Sequence, residues 1–467
     1  MKTPANVSLL IDLYELTMAA SYFEKKRDNT ATFDLFVRQM PPHRSYLVAA
    51  GLEDALDYIE NLKFDDAAIN YLKGLGLFKD DFLGFLKNFK FKGNVWALPE
   101  GTVFFPNEPL LRVTAPLIDA QLIESALLNT INIATTIASK AARVVGAAGG
   151  ACVYDFSLRR AHGLDAGLAA ARSSFIAGCR GTSNCLAGFL YGIPVVGTMA
   201  HSFVMSFPDE LASFNAFAET FPERSILLVD TYDTVKGIEN AVKTAKRLEK
   251  EGHRLRGIRL DSGDIVKLSK IARKILDRNR LTYARIFASG DLDEYKIRKL
   301  IKRKAKVDDF GVGTNMGTSI DAPSLDAIYK VSEVSYALGK FMPAMKLSKG
   351  KVTYPGRKQV YRLWDKKGLM DHDVLGLESE EISGQPLLKM AIDRGTVVYQ
   401  RPSLPEIQEY TRKNLALLPD RYKKLKNKKV FPVKISRGLA DLTKELSREL
   451  KGRSRKQIDD KNPVLRY

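Results

Sequence analysis

The sequence predicts an α/β protein: an N-terminal α+β unit, then a β/α barrel, then a C-terminal appendage. Three observations carry this. Six short apolar runs in the middle of the chain each end in a polar or glycine-bearing cluster. The segments between them read as helices, and strand–helix alternation of this kind builds parallel βα units. Short β-rich runs broken by Pro and Gly flank that region on both sides.

Taken in order, residues 8–23 carry Leu9, Leu13, Leu16 and Ala20 along one side at helical spacing. ATFDLFV (31–37) reads as a strand, followed by helices near 47–60 and across 66–90. GNVWALPEGTVFFPNEPLLRVTA (93–115) has the punctuation of small antiparallel strands. Pro116 opens a long Ala-, Leu- and Ile-rich stretch, 117–148, whose low charge implies burial on most sides. The expected boundaries are an α+β domain over 1–115, a crossing helical segment over 116–148, a barrel bearing the active site over 149–350, and a C-terminal segment over 351–467. Within the last, 353–401 mixes short strands with turns, while 402–428 and 435–452 read as helices.

The six central runs are ACVYDFSLRR (151–160), IPVVGTMAHS (193–202), SILLVDTYD (225–233), RGIRLDSGD (256–264), ARIFASGDLD (284–293) and DFGVGTNMGTS (309–319). Their clusters begin at Asp155, Gly197, Asp230, Asp261, Gly290 and Gly313, always at the expected carboxyl end of a strand. In a barrel those ends form one face, where catalytic residues gather. An open doubly wound sheet concentrates its site at one switch point instead. Chemistry-capable residues at all six ends therefore favour the barrel.

Composition excludes several classes. With 467 residues, 45% hydrophobic and 27% charged, the chain is globular and too long for one undivided core. Three cysteines without a regular framework argue against a secreted disulfide scaffold, and reduced, buried thiols are expected. Asp12 and Glu15 interrupt the N-terminal apolar run, and no long apolar stretch spans a bilayer, so a soluble cytoplasmic protein without membrane contact is expected. The net charge is +19; from Arg401 onward, 19 basic and 8 acidic residues supply +11 of it. A positive field favours anionic partners. The tail reads as a solvated Lys-rich surface lacking the aromatic interleaving of a stacking platform, so nucleic acid is not the expected partner.

Five residues or pairs stand out. His201 follows VVGTMA, with Thr198 and Ser202 beside it, and imidazole titrates near neutral pH. No Gly-x-Ser-x-Gly motif and no paired histidines accompany it, which disfavours a hydrolase triad or a His-based zinc site. Arg259 and Asp261 alternate with Leu260, so they share one side of a strand; they form either a buried ion pair or a ligand-binding pair. Arg159 and Arg160 follow DFSL and suit bidentate binding of carboxylate or phosphate. SGD (289–291) and GVGT (311–314) are short late loops able to cradle a phosphate. Asp230 and Asp233 form a strand-end acid cluster that could act through magnesium.

Together these motifs resemble the nicotinate phosphoribosyltransferase family. The match runs from DLYELTMA (12–19) through FDLFVR, PEGTVFFPNEPLLRV, NTINIATTIASKAARV, DFSLRRAHG, GTMAHSFV, DTYDT, RLDSGD and GVGT to YPGRKQVYR (354–362). Ser157 stands where the family motif has Gly, a departure expected to loosen the arginine loop, and the region after 400 matches poorly. The resemblance implies an irregular β/α barrel packed against the α+β domain, and a homodimer or higher homo-oligomer. The implied reaction joins nicotinate to 5-phosphoribosyl 1-diphosphate, with ATP hydrolysis coupled and Mg2+ on the diphosphate or ATP. It makes His201 a phosphohistidine, places Tyr14, Thr198 and Arg259 on nicotinate, with Tyr14 reaching across from a neighbouring subunit, and gives Arg159, Gly290, Gly313 and Thr314 to the phosphoribosyl group. Asp261 is expected to stabilise developing positive charge or a ribose hydroxyl. A nicotinamide or quinolinate phosphoribosyltransferase and a non-enzymatic RNA-binding protein are the competing readings.

Overall fold

A computed structural model describes residues 7–336, 339–348, 353–427 and 429–461. The chain divides into two compact units. One comprises 1–132, 325–403 and 413–467; the other comprises 133–324 and 404–412. The division falls inside the long helix Glu124–Ala147, and the segment after 325 belongs to the first unit. No helix among the described residues is long and apolar enough to cross a membrane.

The first unit is built on a seven-stranded antiparallel sheet. Its order runs Phe341–Pro343, Ala327–Ser335, Thr30–Val37, Pro109–Pro116, Asn94–Ala97, Lys389–Asp393, Thr396–Val397. The central strand Thr30–Val37 is buried from Ala31 to Val37, which is why it reads as a near-continuous apolar run. Its one acid, Asp34, is paired with buried Lys358 at 2.8 Å. Burial pushes the Asp34 carboxyl up and the Lys358 ammonium down, and each partner opposes the other's shift. Lys358 lies in the YPGRKQVYR motif, and Arg362 of the same motif grips Asp373 through two hydrogen bonds of 2.9 and 2.6 Å. That motif holds the four-stranded sheet formed by Gln385–Pro386, Lys358–Trp364, Met370–Leu377 and Val433–Ile435.

Several expected helices are divided, each for a local reason. The span 47–60 becomes a short strand, Leu47–Val48, and a helix, Leu52–Asn61. Gly51 between them has φ +93°, and its N–H donates to the Glu100 carboxylate. The span 66–90 holds two helices, Asp66–Gly74 and Asp80–Lys87, separated at Gly76 with φ +68°. The stretch 117–148 turns at Ile123, between Leu117–Leu122 and Glu124–Ala147. The helix expected over 402–428 is Leu404–Leu417, ended by Pro419 two residues on. Arg437–Lys461 continues beyond the expected 452, and the last residues of the basic tail, 462–467, lie outside the described residues.

The second unit carries a five-stranded parallel sheet in the order Cys152–Asp155, Asp309–Val312, Arg285–Ala288, Gly257–Leu260, Ile226–Leu228. Parallel bridges from Asp155 to Thr182 and from Thr182 to Val195 extend it. Val195 and Ile226, at opposite ends of this ladder, line one cavity of about 680 Å3 together with Tyr154 and Phe287. The sheet therefore curls round into an incompletely closed, irregular β/α barrel. Five of the six expected strands form. The sixth, in 193–202, is reduced to the single bridge at Val195. Pro194 has no N–H to give a ladder, and only its carbonyl and the Val196 N–H bond to Thr182. Amphipathic helices connect the strands, and Asp233, Asp264 and Asp293 each cap the helix that follows by accepting a backbone N–H.

All three cysteines are free thiols. The expectation of burial holds for Cys179; Cys152 is half-buried and Cys185 is exposed.

Candidate active site

The carboxyl ends of the barrel strands gather a connected polar cluster. Arg259 is next to last in its strand, Gly257–Leu260, and Asp261 follows that strand. Arg259 donates from all three nitrogens: Nε to Ser289 Oγ at 2.8 Å, Nη1 to Thr198 Oγ1 at 3.0 Å, and Nη2 to Asp261 Oδ1 at 2.7 Å. Ser289 Oγ in turn donates to the same Asp261 oxygen. The guanidinium lies over the Phe156 ring, 5.6 Å from its centroid, and Phe156 stacks on Phe287 at 5.5 Å. The Arg259–Asp261 ion pair left open by the sequence therefore exists. It is partly exposed rather than sealed, with 15% and 30% of the two side chains open to solvent.

His201 opens the short helix His201–Met205 after an irregular loop, not directly after a strand. Its Nδ1 is 3.1 Å from Thr231 Oγ1, and its Nε2 is 4.0 Å from Asp261 Oδ2. Asp261 thus faces Arg259 with one oxygen and His201 with the other. Burial raises its carboxyl, but the Ser289 hydrogen bond and the Arg259 charge outweigh burial and hold it below the usual carboxylate range. Asp230 supports the turn: its Oδ2 accepts from Asp261 N–H at 2.9 Å and Ser262 Oγ at 2.6 Å.

The glycine-bearing loops are tight. Gly290 has φ +93°, and a Cβ there would lie 1.9 Å from the Asp261 carbonyl oxygen. Only glycine fits this crossing, which seats the SGD loop against Asp261. Gly313 precedes Thr314, the first residue of the four-residue helix Thr314–Gly317, and a Cβ at Gly313 would meet the Phe156 carbonyl at 3.1 Å. Gly317 packs on Ser157, where a Cβ would approach to 2.1 Å. Ser157 is tied to the end of the preceding strand. Its N–H and hydroxyl both donate to Asp155 Oδ1, at 3.0 and 2.6 Å, while Thr182 donates to Oδ2 at 2.7 Å.

The structure brings together His201, Thr198, Arg259, Asp261 and Gly290. Arg159 sits in the turn Leu158–Arg160, exposed and without a hydrogen bond or ion pair among the described residues. Tyr14 belongs to the first unit, on the helix Leu13–Lys25, and is 49% exposed beside exposed Leu10 and Leu13. Its hydroxyl is pushed up by burial and by Glu124 and Glu15. Sequence reasoning missed Ser289, Thr231 and Phe156. Each lay inside a motif already singled out, but only the fold shows which side chain of SGD, DTYDT or DFSLRR turns inward.

Among the described residues, no group of three or more His, Cys, Asp or Glu is placed to hold a metal. Asp233 is engaged as a helix cap. Asp230 Oδ1 is buried without a hydrogen-bond partner, and is the oxygen best suited to a cation that retains most of its own water and substrate ligands.

The cavity of about 680 Å3 lies toward the amino ends of the strands, where Arg285 pairs with Asp309, and touches the polar cluster at Thr198. The carboxyl-end cluster, rather than this cavity, carries the groups able to do chemistry.

Comparison with known proteins matches three segments of the chain to family profiles. Residues 9–132 match the nicotinate phosphoribosyltransferase N-terminal domain, 152–359 the nicotinate phosphoribosyltransferase family, and 383–443 its C-terminal domain. The poor C-terminal match expected from the sequence thus extends only to part of the region after 400. The chain is 46% identical over 434 residues to nicotinate phosphoribosyltransferase pncB2 of Mycobacterium tuberculosis, covering 92% of this chain and 91% of that protein. It is 38% identical to nicotinate phosphoribosyltransferase of Bacillus subtilis, covering 97% and 98%. Its fold is similar to the crystal structure of human nicotinic acid phosphoribosyltransferase, with a TM-score of 0.83 at 29% identity over 93% of this chain and 99% of that one.

Proposed function

The chain belongs to the nicotinate phosphoribosyltransferase family and is an enzyme of NAD salvage, and we propose that Arg259 is the clamp that selects nicotinate for the reaction. The carrying observation is the bonding of its guanidinium. Three of its five N–H groups are spent on Ser289, Thr198 and Asp261, one from each nitrogen. One N–H remains on each terminal nitrogen, a pair that can take a carboxylate end-on while Ser289 and Asp261 occupy the Nε/Nη2 edge. Nicotinate has that carboxylate and nicotinamide does not. Quinolinate has two, and would need further cations.

In the reaction the pyridine nitrogen attacks C1 of 5-phosphoribosyl 1-diphosphate. A C1–N bond forms, the C1–O bond breaks, and diphosphate leaves with the electron pair. The nitrogen is already unprotonated near neutral pH, so no general base is required. The protein's work is to align the ring and stabilise charge. Arg259 and Thr198 orient the carboxylate, and Phe156 supplies an apolar surface beside them. Asp261, held ionised, faces the positive charge that develops on the ribosyl carbon. Gly290, Gly313 and Thr314 serve the 5-phosphate through the backbone of their tight loops, and unpaired Arg159 serves the anionic groups. Mg2+ would be held by Asp230 with substrate oxygens, where it neutralises the diphosphate. Tyr14 would cover the pyridine ring from a second subunit of a homodimer, which its exposure on an apolar helix face supports.

His201 is the acceptor of a phosphoryl group from ATP. In the tautomer whose Nδ1–H donates to Thr231, the lone pair is on Nε2. Nε2 attacks the γ-phosphorus, a P–N bond forms, and ADP leaves; water later returns the imidazole and releases phosphate.

The test is product formation by the purified protein from 5-phosphoribosyl 1-diphosphate, Mg2+ and nicotinate, with and without ATP. Nicotinate mononucleotide and diphosphate in equal amounts support the reading. No nucleotide under either condition overturns it.

A further inference from the structure

Ser289 belongs to neither substrate group, yet it sits where the two halves of the site meet. It follows the strand Arg285–Ala288 and is 3% exposed. Its N–H donates to Leu260 O at 2.9 Å, which sets it level with the end of the neighbouring strand. Gly290 then holds the loop against the Asp261 backbone, so the hydroxyl has little freedom of position. That hydroxyl accepts from Arg259 Nε and donates to Asp261 Oδ1, and Arg259 Nη2 donates to the same oxygen. The three side chains close a ring. Asp261 Oδ1 receives two donors in it, and Oδ2 is turned toward His201 Nε2 at 4.0 Å.

A carboxylate so placed has two suitors. With Ser289 and Arg259 on one oxygen, it braces the guanidinium in the orientation that leaves two N–H groups outward. If the carboxylate rotates toward a protonated imidazole, that brace is lost. Phosphorylation of His201 on Nε2 leaves that nitrogen unable to take a proton and offer Asp261 an N–H, and adds roughly two negative charges beside Oδ2. Both effects drive Asp261 back onto its other partners, and Ser289 supplies the seat.

We propose that Ser289 is a positioning residue that couples His201 to the nicotinate clamp, by fixing which oxygen of Asp261 braces Arg259 and which faces the imidazole. The inference rests on the reading of Arg259 as a carboxylate clamp and of His201 as the phosphoryl acceptor. It goes beyond that reading in naming the side chain through which ATP reaches nicotinate affinity.

The experiment compares wild type, S289A and S289T, measuring KM for nicotinate and for 5-phosphoribosyl 1-diphosphate, and kcat, each with and without ATP. S289A deletes only one hydroxyl, and S289T restores it. In wild type, ATP is expected to lower the nicotinate KM. In S289A, the nicotinate KM without ATP is expected to rise about tenfold, as for loss of one hydrogen bond to a charged group. The ATP effect on it should shrink to less than about twofold, while His201 is still labelled by γ-labelled ATP. S289T should recover both. Full ATP stimulation of nicotinate affinity in S289A overturns the proposal. So does a loss in S289T equal to that in S289A, or an equal fall in affinity for both substrates, since each points to packing rather than a positioned hydroxyl. A wild-type enzyme that turns over nicotinate without any ATP effect on its KM overturns the coupling and leaves the clamp standing. Failure of wild type to use nicotinate at all removes the functional reading, and the inference falls with it.

Discussion

Arg259 and Asp261 meet side by side, with Nη2 donating to Oδ1 at 2.7 Å, although only Leu260 separates them in the chain. Strand alternation puts both on one side, and the strand's end puts that side at the barrel mouth. The ion pair is also the support of the proposed ligand clamp, so the two sequence readings are one structure.

Removing the guanidinium should therefore damage one substrate selectively. R259A is expected to raise the nicotinate KM about 100-fold or more, since a charge-assisted bidentate contact and its brace are lost together, ~3 kcal/mol. The KM for 5-phosphoribosyl 1-diphosphate should change far less. Steady-state kinetics with each substrate varied separately checks this, and equal effects would mean Arg259 is no carboxylate clamp.

In the proposed reading His201 acts through ATP and not in the transfer itself. H201N places an amide atom near the position of Nδ1, able to bond Thr231, but offers no phosphoryl acceptor. It is expected to retain basal nucleotide formation, to lose ATP stimulation, and to take no label from γ-labelled ATP. A variant still fully stimulated would remove the phosphohistidine from the account.

Gly290 is a backbone requirement. G290A places a methyl 1.9 Å from the Asp261 carbonyl at φ +93°. Such a crossing can relax only by moving the SGD loop, so a loss of about 2–4 kcal/mol in stability is expected. Denaturant unfolding measures it, and unchanged stability would show that the loop is not held against Asp261.

Glu15 sets a pH dependence in the first unit. Burial pushes its carboxyl up to about 7, with Glu124 adding to the rise and hydrogen bonds from Ser125 opposing it. A raised folded-state value means the folded chain holds the proton more tightly than the unfolded chain. Glu15 then favours folding least above its folded value, and stability falls as pH climbs from the unfolded value toward about 7. E15Q is expected to gain thermal stability over the parent as pH rises from about 5 to about 8. Melting curves across that interval check it; a constant difference between the two proteins would contradict the assignment.

Much of this was legible in the sequence because strand ends advertise themselves. An apolar run that stops at Asp, Arg or Gly marks both the strand and the residues it delivers, as at Arg259, Asp261 and Gly290; His201 and Thr198 carry the same signal although no strand delivers them. The failures have the same origin. IPVVGTMAHS has the apolar content of a strand, but Pro194 removes a ladder donor, and one bridge survives. The long helices were divided by Gly51, Gly76 and Pro419, whose local geometry overrides an apolar pattern. YPGRKQVYR enters only as a stretch of the family resemblance, with no role attached. Its Lys358 and Arg362 are buried partners of Asp34 and Asp373, a pairing that the motif's residue types alone do not reveal. Ser289 was invisible because a serine's role lies in what its hydroxyl touches.

The most direct measurement offers the purified protein nicotinate and nicotinamide separately, with 5-phosphoribosyl 1-diphosphate, Mg2+ and ATP, for wild type and R259A. The clamp requires that wild type convert nicotinate and leave nicotinamide essentially untouched, and that R259A lose this discrimination by losing nicotinate. Comparable use of nicotinamide by wild type, or undiminished preference for nicotinate in R259A, would contradict it.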